Sequence, residues 1–179
     1  DVGAGSGILG FFAAKAGAEH VILLDNTSVI DDAEQLAFIN GLEETVECVR
    51  VEAKDYDPGF RVDVIVSEWI GFFLMEEYMY GAFTAVRDRC LAEGGTVVPS
   101  AARLFIAPID DSELYNVQGF GFWESPVYGF DFTMGVNQQL ESLHRIVTEV
   151  KQESLLARPW RVMEMDCLKD NMDVLHFEF

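Results

Sequence analysis

The sequence Asp1-Val2-Gly3-Ala4-Gly5-Ser6-Gly7 opens the chain and decides the fold. From Gly3 to Gly7 every second residue is glycine, which is typical of a loop that leads from a β-strand into a helix. Glycine permits backbone conformations closed to other residues and lets a ligand approach the main chain. The spacing differs from the GxGxxG of dinucleotide-binding enzymes, because the third glycine comes one residue early. With no basic residue beside it, the loop suits a nucleoside ligand that carries no diphosphate.

Helix and strand patterns alternate downstream of this loop. Residues 21–25 (VILLD) form a short apolar run that ends in an acid, as in a strand buried in a parallel sheet. Helices are predicted at 8–17, 31–40 and 76–90, and further strands at 46–51 and 62–68. This βαβαβ order predicts the α/β class, with a doubly wound, Rossmann-like parallel sheet covered by helices on both faces.

An acid ends the first of these predicted strands. Asp25 falls where the ribose hydroxyls of a nucleotide lie in a doubly wound fold, and its carboxylate can accept a hydrogen bond from each of them. The order of loop, helix, strand and terminal acid therefore indicates a nucleoside cofactor such as S-adenosylmethionine. The alternative is that the glycines form a purely structural turn.

A pair of glutamates follows the strand at 62–68. Glu68 ends that strand, in the sequence SEWIGFFLMEEYM of residues 67–79, and Gly71 permits a hairpin that could bring Glu77 back to face Glu68. Two carboxylates in an aromatic pocket would hold a cation, and a planar guanidinium fits them best because it bonds carboxylates bidentately. The alternative is two ordinary surface glutamates beside aromatic core residues.

The pattern changes after Pro99. Strands are predicted at 104–109, 145–150 and 174–179 without crossover helices between them, which indicates antiparallel β structure. We therefore place a domain boundary near Ser100, between domains 1–99 and 100–179. The aromatic segment at about 112–133 predicts a partner surface, although by composition alone it could be a packed loop.

Composition limits the classes of partner. The chain has 12 Lys and Arg against 31 Asp and Glu, a net charge of −19, which disfavours direct binding of nucleic acid and suits a basic partner. No run of apolar residues is long enough to predict a membrane span. The cysteines and histidines are scattered, so neither a disulfide framework nor a metal site is predicted.

Three stretches together resemble the protein arginine N-methyltransferases, a class I family that depends on S-adenosylmethionine. They are DVGAGSGIL with FAAKAGA at 1–18, SEWIGFFLMEEYM at 67–79, and RDRCLAEGGTVVPSAARLFIAPIDD at 87–111. The SEW loop is highly specific to that family, and the similarity covers essentially the whole chain. ESLLARPWR at 153–161 and the LFIAPI stretch resemble most closely the sixth subgroup, a type I enzyme that makes asymmetric dimethylarginine.

The resemblance implies a role for each matching residue. Glu68 and Glu77 match the two catalytic glutamates, and no metal is implied. The matches to residues that contact the cofactor in the family are Asp1, Gly3, Gly5, Asp25, Ala53, Lys54 and Met79. Pro99 matches a proline, often cis, that joins the nucleotide fold to an antiparallel β-barrel, and the aromatic segment with Trp123 and Tyr128 matches a dimerisation arm.

Two matches depart from the family pattern. Asp25 is one methylene shorter than the usual glutamate. An ungapped alignment puts Ala53 and Lys54 where the family has a Val-Glu pair, and lysine cannot accept a hydrogen bond from the adenine amino group. A small local shift would place Glu52 or Asp55 there instead.

The function implied is transfer of methyl groups from S-adenosylmethionine to guanidinium nitrogens of histone or Gly-Arg-rich tails, with S-adenosylhomocysteine as the other product. A homodimer, or a heterodimer with a sister chain, in the nucleus or the cytoplasm is expected. The alternatives are a catalytically weak family member that serves as a partner subunit, and a methyltransferase with another acceptor. The family's cofactor-covering N-terminal helix and its Thr-His-Trp loop would lie outside these residues, so we expect the segment alone to be inactive.

Overall fold

The computed structural model describes residues 1–140 and 146–171. The chain divides into two compact units. The first is Asp1–Leu104 with the described residues from Val162 onward, and the second lies within Phe105–Arg161. The first unit thus takes in residues on both sides of Ser100, and the domain division of 1–99 and 100–179 stays a prediction.

The first unit alternates strands and helices, as the sequence predicts. Its elements in chain order are α1 (Ile8–Lys15), β1 (Val21–Asp25), α2 (Val29–Ile39), β2 (Val46–Arg50), a 3-10 turn (Ala53–Asp55), β3 (Val62–Val66), α3 (Met79–Cys90) and β4 (Leu91–Val98). Strand β1 pairs in parallel with β2, and β3 pairs in parallel with β4. The predicted α/β class is confirmed.

Helices cover both faces of these strands. Side chains along a strand point alternately to opposite sides, so neighbouring residues of β1 pack against different helices. Leu23 packs with Phe11 of α1 and Ala33 of α2 in one apolar cluster. Its neighbour Leu24 belongs to a second cluster, which includes Phe83 of α3. Leu23 and Phe83 are both fully buried.

The two residues before the glycine loop lie between β1 and β3. The N–H of Val2 donates to the carbonyl of Val66 at 2.9 Å, and the N–H of Leu24 donates to the carbonyl of Asp1, also at 2.9 Å. Val2 also forms a parallel bridge with Leu24. This short segment therefore connects the carboxyl end of β1 to that of β3.

A buried cation anchors α3 to a distant part of the chain. Arg87 is only 3% exposed. Its guanidinium donates to the carbonyls of Cys167 and Asp170 at 2.9 and 2.8 Å, and to the side chain of Asn171. The hydroxyl of Tyr80 donates to the same Asp170 carbonyl at 2.8 Å, and burial raises the pKa of this phenol to about 12. The turn that carries these acceptors is thereby held against α3.

The strands after the boundary differ from the prediction. Strand β5 covers Ala101–Ile106 and pairs with β6 at Trp160–Asp166, a strand that the sequence patterns do not predict. The strand predicted at 145–150 is wrong for 146–150, where the chain has no regular hydrogen bonding and every residue is exposed. The strand predicted at 174–179 lies outside the described residues.

Two local features lie near the boundary. Gly94 and Gly95 fall inside β4, at a register shift in its pairing with β3. The backbone continues as a strand there because the shift absorbs the glycines within the ladder. The Val98–Pro99 peptide bond is cis, as the resemblance implies.

The second unit is mainly helical and irregular. It contains α4 (Ser112–Val117), a 3-10 segment (Phe120–Glu124) and α5 (Met134–Leu140). Asp111 caps α4, since its carboxylate accepts from the N–H of Leu114 at 2.9 Å. Within the described residues, no helix combines the length and apolar character needed to cross a membrane.

Candidate active site

The glycine loop, residues 3–7, lies at the carboxyl ends of β1 and β3, where ligands bind in open α/β sheets. The backbone of Gly3, Gly5 and Gly7 has φ values of 72°, 53° and 84°, which favour glycine. A Cβ at Gly5 would meet no heavy atom within 4 Å, whereas a Cβ at Gly3 would collide with the terminal methyl of Met79. The loop therefore presents open backbone at Gly5 and a close methionine contact at Gly3.

Asp1 lies at the start of this loop with its side chain turned inward. One carboxylate oxygen accepts from the N–H of Gly10 in α1 at 3.1 Å. The other oxygen, Oδ1, is buried and has no hydrogen-bond partner among the described residues. A buried polar atom without a partner is costly, which makes this oxygen a candidate acceptor for a ligand donor.

Asp25 is held at the end of β1 by donors from two segments. One oxygen accepts from the Gly5 N–H at 3.0 Å, and the other accepts from the N–H and hydroxyl of Thr27 at 2.8 and 2.7 Å. Burial raises the pKa of the Asp25 carboxyl, but the hydrogen bonds from Thr27 and Gly5 outweigh it, so the pKa lies below its usual value. The group is an ionised acceptor at neutral pH with lone pairs left for a ligand.

A second acid lies beside the end of β1. Glu52 follows β2, and its Oε1 accepts from the side-chain amide of Asn26 at 2.9 Å. Ala53 and Lys54 belong to the next 3-10 turn, and Ala53 packs against the apolar cluster around α3. Sequence reasoning offers Glu52 or Asp55 as alternatives to Lys54, and of these the Glu52 carboxylate is oriented by Asn26.

Ser67 joins the SEW segment to the glycine loop. Its hydroxyl is buried and donates to the carbonyl of Val2 at 2.7 Å. Trp69, two residues after Ser67, is 1% exposed and packs edge-on against Tyr80, with 4.7 Å between the ring centroids. Sequence reasoning did not single out Ser67, although its place in the SEW motif was a signal. Together these contacts place Glu68 at the same edge of the sheet as the loop.

The double-glutamate loop, residues 68–78, folds back on itself. The N–H of Gly71 donates to the carbonyl of Leu74 at 3.1 Å. A Cβ at Gly71 would lie 2.6 Å from Cγ and 2.7 Å from the backbone nitrogen of Glu77, so these residues are in direct contact. The carboxylates of Glu68 and Glu77 are both exposed, and Glu68 accepts from the N–H of Ile70 at 3.2 Å. That the two carboxylates face one another stays a prediction.

Backbone strain is concentrated in this same loop. Phe73, Leu74 and Tyr78 have φ values of 51°, 70° and 59°, in a region that residues other than glycine seldom adopt. Helix α3, predicted from residue 76, begins only at Met79, so Glu77 stands in the strained turn before it. Such strain clusters at binding and catalytic sites, where the surrounding structure imposes it.

Two further expectations, on disulfides and on metal sites, can be compared with the structure over the described part of the chain. Cys48, Cys90 and Cys167 are free thiols. In 1–140 and 146–171, no three His, Cys, Asp or Glu side chains are grouped so that they could hold a metal ion.

Known proteins similar to this chain share both its sequence and its fold. It is 36% identical over 167 residues to protein arginine N-methyltransferase 1 of Saccharomyces cerevisiae. This match covers 93% of this chain and 47% of that protein. It is 36% identical over 169 residues to the probable protein arginine N-methyltransferase 6 of Arabidopsis thaliana, covering 93% of this chain and 38% of that protein. The chain thus spans half or less of the length of these relatives. No protein-family model matches it.

Two solved structures share the fold over 97% of this chain. The Trypanosoma brucei PRMT1 enzyme–prozyme heterotetrameric complex with AdoHcy superposes with a TM-score of 0.82 at 28% identity, over 53% of that chain. Arabidopsis thaliana protein arginine methyltransferase 10 superposes with a TM-score of 0.78 at 31% identity, over 55% of that chain. The long sequence matches and the shared fold agree with the motifs around Gly3, Glu68 and Glu77: the chain belongs to the protein arginine N-methyltransferase family.

Proposed function

We propose that the whole protein transfers methyl groups from S-adenosylmethionine to guanidinium nitrogens of protein arginine residues. The single observation that carries the proposal is the return of the double-glutamate loop, which packs Glu77 against Gly71 at the sheet edge where Glu68 also stands. Membership of the family and the AdoHcy named in the Trypanosoma brucei complex support the same reaction.

The residues at the glycine loop fit a nucleoside cofactor. The open backbone at Gly5 leaves room for it, and Asp1 Oδ1 offers a buried acceptor without a partner among the described residues. Asp25 would accept from the ribose hydroxyls, and Glu52, oriented by Asn26, would accept from the adenine amino group. Ala53 and Lys54 would contribute only through their backbone. S-adenosylmethionine, when bound, supplies a methyl group on a positively charged sulfur.

Glu68 and Glu77 would act on the substrate arginine. Its guanidinium is a cation at neutral pH, because its pKa lies far above that range, and the lone pairs of its nitrogens are delocalised. Hydrogen bonds to two carboxylates draw the positive charge toward one side of the guanidinium. The remaining terminal nitrogen is then more nucleophilic, and attack requires it to approach the methyl carbon to about 3–3.5 Å. The reaction gives methylarginine, S-adenosylhomocysteine and one proton.

We also propose that the dimethylated product is asymmetric. Met79 contacts Gly3, in the same loop as Asp1 and Gly5, which are proposed to hold the cofactor. A bulky thioether there would crowd the second terminal nitrogen of the arginine and favour repeated transfer to the same one. Arginine-rich histone or Gly-Arg tails suit the net charge of −19.

An aromatic surface in the second unit suits a partner subunit. Tyr128 is 97% exposed and Phe130 is 68% exposed, whereas Trp123 is partly buried against Phe122 and Phe132. Tyr128 is therefore the better anchor of a dimer contact, and Trp123 supports the segment from inside. The partner is a second copy or a sister chain.

The test uses the whole protein, S-adenosylmethionine and an arginine-rich tail peptide. Fragmentation mass spectrometry should show methylarginine and a neutral loss of dimethylamine, the mark of the asymmetric product. Glu77→Gln should lower the rate by at least about 100-fold, since one carboxylate no longer bears charge. The exposed Glu93→Gln is the matched control and should keep full activity.

Binding of S-adenosylhomocysteine, measured by calorimetry, separates the outcomes. Binding without methylation, beside a working relative as positive control, would contradict the proposal and favour a partner subunit. Full activity of Glu77→Gln would show that the glutamate mechanism is wrong.

A further inference from the structure

Two buried aromatic residues, Trp69 and Tyr80, form the base of the double-glutamate loop. Each is only 1% exposed, and their rings meet edge-on with 4.7 Å between the centroids. Trp69 directly follows Glu68 in the chain, and Tyr80 comes three residues after Glu77. The ring contact therefore joins the two chain segments that carry the glutamates.

Hydrogen bonds inside the loop shape its turn but do not join its two ends. The N–H of Gly71 donates to the carbonyl of Leu74 at 3.1 Å, and the N–H of Glu76 donates to the carbonyl of Phe72 at 3.0 Å. All four residues lie between Trp69 and Tyr80. The separation of the two ends therefore depends on the packing at the base, where large buried rings hold the segments together.

The hydroxyl of Tyr80 ties its ring to the turn that follows β6. It donates to the carbonyl of Asp170 at 2.8 Å. Arg87 donates to the same carbonyl at 2.8 Å and to that of Cys167 at 2.9 Å, so the turn is fixed to α3 by a second side chain. Because burial raises the pKa of the Tyr80 phenol to about 12, the hydroxyl keeps its proton and remains a donor at neutral pH.

We propose that Tyr80 is a positioning residue for the two glutamates. Its hydroxyl, bonded to the Asp170 carbonyl, orients the ring, and the ring holds Trp69 at the base of the double-glutamate loop. Packing alone would not require the hydroxyl, which is costly to bury and therefore needs a partner. The effect on methyl transfer rests on the proposed function, whereas the ring contact and the hydroxyl bond do not.

The first turn of α3 contacts both loops of the candidate site. Met79, directly before Tyr80, has its terminal methyl against Gly3 of the glycine loop. Tyr80 contacts Trp69 of the double-glutamate loop. A ring held at this point therefore sets the glutamates relative to the cofactor loop as well as to one another. It also supports the strained turn at Tyr78, whose φ is 59°.

Two variants of the whole protein that each lose one buried hydroxyl test the proposal. Tyr80→Phe keeps the ring, and the Asp170 carbonyl keeps Arg87 as a donor. The matched control is Thr84→Val on the same helix, where the hydroxyl is buried but donates within α3, to the carbonyl of Gly81 at 3.1 Å. Both variants should lower the melting temperature by a similar amount, below about 4 °C.

Hydrogen exchange of the Trp69 indole N–H, resolved by NMR, measures the contact without any methyl transfer. Its nitrogen is buried and has no hydrogen-bond partner among the described residues, so exchange requires the base of the loop to open. Tyr80→Phe should speed this exchange at least about 10-fold, whereas Thr84→Val should leave it unchanged. Unchanged exchange in Tyr80→Phe, or equal changes in the two variants, would overturn the proposal.

Steady-state kinetics with S-adenosylmethionine and an arginine-rich tail peptide give the second readout. Tyr80→Phe should lower kcat about 10-fold and change KM for the peptide less than about twofold, because displaced glutamates lose contacts that strengthen in the transition state. Thr84→Val should keep both constants, and a wild-type kcat in Tyr80→Phe would overturn the proposal. A wild-type protein that transfers no methyl group would overturn the proposed function instead, and the indole exchange would still decide the role of Tyr80.

Discussion

The glycine loop and the double-glutamate loop reach similar backbone conformations with opposite residue types. Glycine occupies the positive φ positions of the first loop, at 72°, 53° and 84°. In the second loop Phe73, Leu74 and Tyr78 take φ values of 51°, 70° and 59°. A left-handed backbone costs a residue with a side chain about 1–2 kcal/mol, and costs glycine little.

The difference indicates what each loop contributes. The first loop leaves open space at Gly5, which a side chain would obstruct, while the N–H groups of Gly3 and Gly5 are bonded to the Leu24 carbonyl and the Asp25 carboxylate. In the second loop residues with side chains take the positive φ values, and the packing of the buried Trp69 and Leu74 holds the strained turn in place. The backbone of the glycine loop is therefore unstrained because glycine adopts positive φ freely. The backbone of the double-glutamate loop is strained and is kept in place by the residues packed around it.

The largest effect is expected where the double-glutamate loop turns back. Gly71→Ala would place a Cβ 2.7 Å from the backbone nitrogen of Glu77, so the hairpin must open. Displacement of this carboxylate should lower kcat by about 100-fold while S-adenosylhomocysteine binding is retained. Steady-state rates and calorimetry on the whole protein measure both quantities. Gly81→Ala in α3 meets nothing within 4 Å and should leave both unchanged, and equal rate losses in the two variants would contradict the hairpin's role.

A smaller effect is expected at the acid that supports the glycine loop. Asp25→Ala removes the acceptor of the Gly5 N–H and the proposed partner of the ribose. The dissociation constant of S-adenosylhomocysteine should rise about 10- to 100-fold, since hydrogen bonds to a charged group contribute about 1.5–3 kcal/mol. Titration calorimetry measures it, with the exposed Asp32→Ala on α2 as control. Unchanged affinity would show that Asp25 does not contact the cofactor.

The contrast in strain predicts stability changes of opposite sign. Tyr78→Gly should raise the free energy of unfolding by about 0.5–1 kcal/mol, because its φ of 59° suits glycine and the side chain is 81% exposed. Gly5→Ala should lower it by about 1 kcal/mol, since φ is 53° and the new methyl group gains no contact. Denaturant unfolding of the whole protein checks both variants. A loss of stability in Tyr78→Gly would mean that its conformation is not strained.

The smallest expected effect is a dependence of the melting temperature on pH. The pKa of Asp25 lies below its usual value in the folded state, so its ionised form stabilises the fold at neutral pH and this stabilisation is lost as the pH falls toward the folded pKa. The difference in melting temperature between the wild-type chain and Asp25→Asn should therefore narrow on going from about pH 6 to about pH 3. A constant difference over that range would contradict the lowered pKa.

The sequence predicts elements best where a single local pattern determines them. Strand β1 has the bounds that the sequence predicts, because a short apolar run ends in an acid. Strand β6 escapes prediction since its buried residues, Val162, Met163 and Met165, do not alternate regularly. Residues 146–150 have the β-branched composition of a strand, but they are exposed and lack the pairing that only the folded chain could reveal.

The sequence predicts which motifs form the candidate site, but it does not predict the contacts that their residues make. The glycine pattern and the SEW sequence single out Gly3, Glu68 and Glu77. The role proposed for Glu52 rests on its hydrogen bond with Asn26, which is distant in sequence and close in space. The start of α3 at Met79 depends on the strained turn at Tyr78, which helix propensity does not encode.

The buried Arg87 also sets an order of events during protein synthesis. Its acceptors at Cys167, Asp170 and Asn171 lie 80, 83 and 84 residues further along the chain. At a translation rate of about 5–20 residues per second, they are added about 4–17 s after the arginine itself. Until they emerge from the ribosome, the charged guanidinium of Arg87 lacks these three acceptors, and burying it would leave their hydrogen bonds unmade. Helix α3 therefore completes its docking late, and a chaperone that shields it has several seconds in which to act.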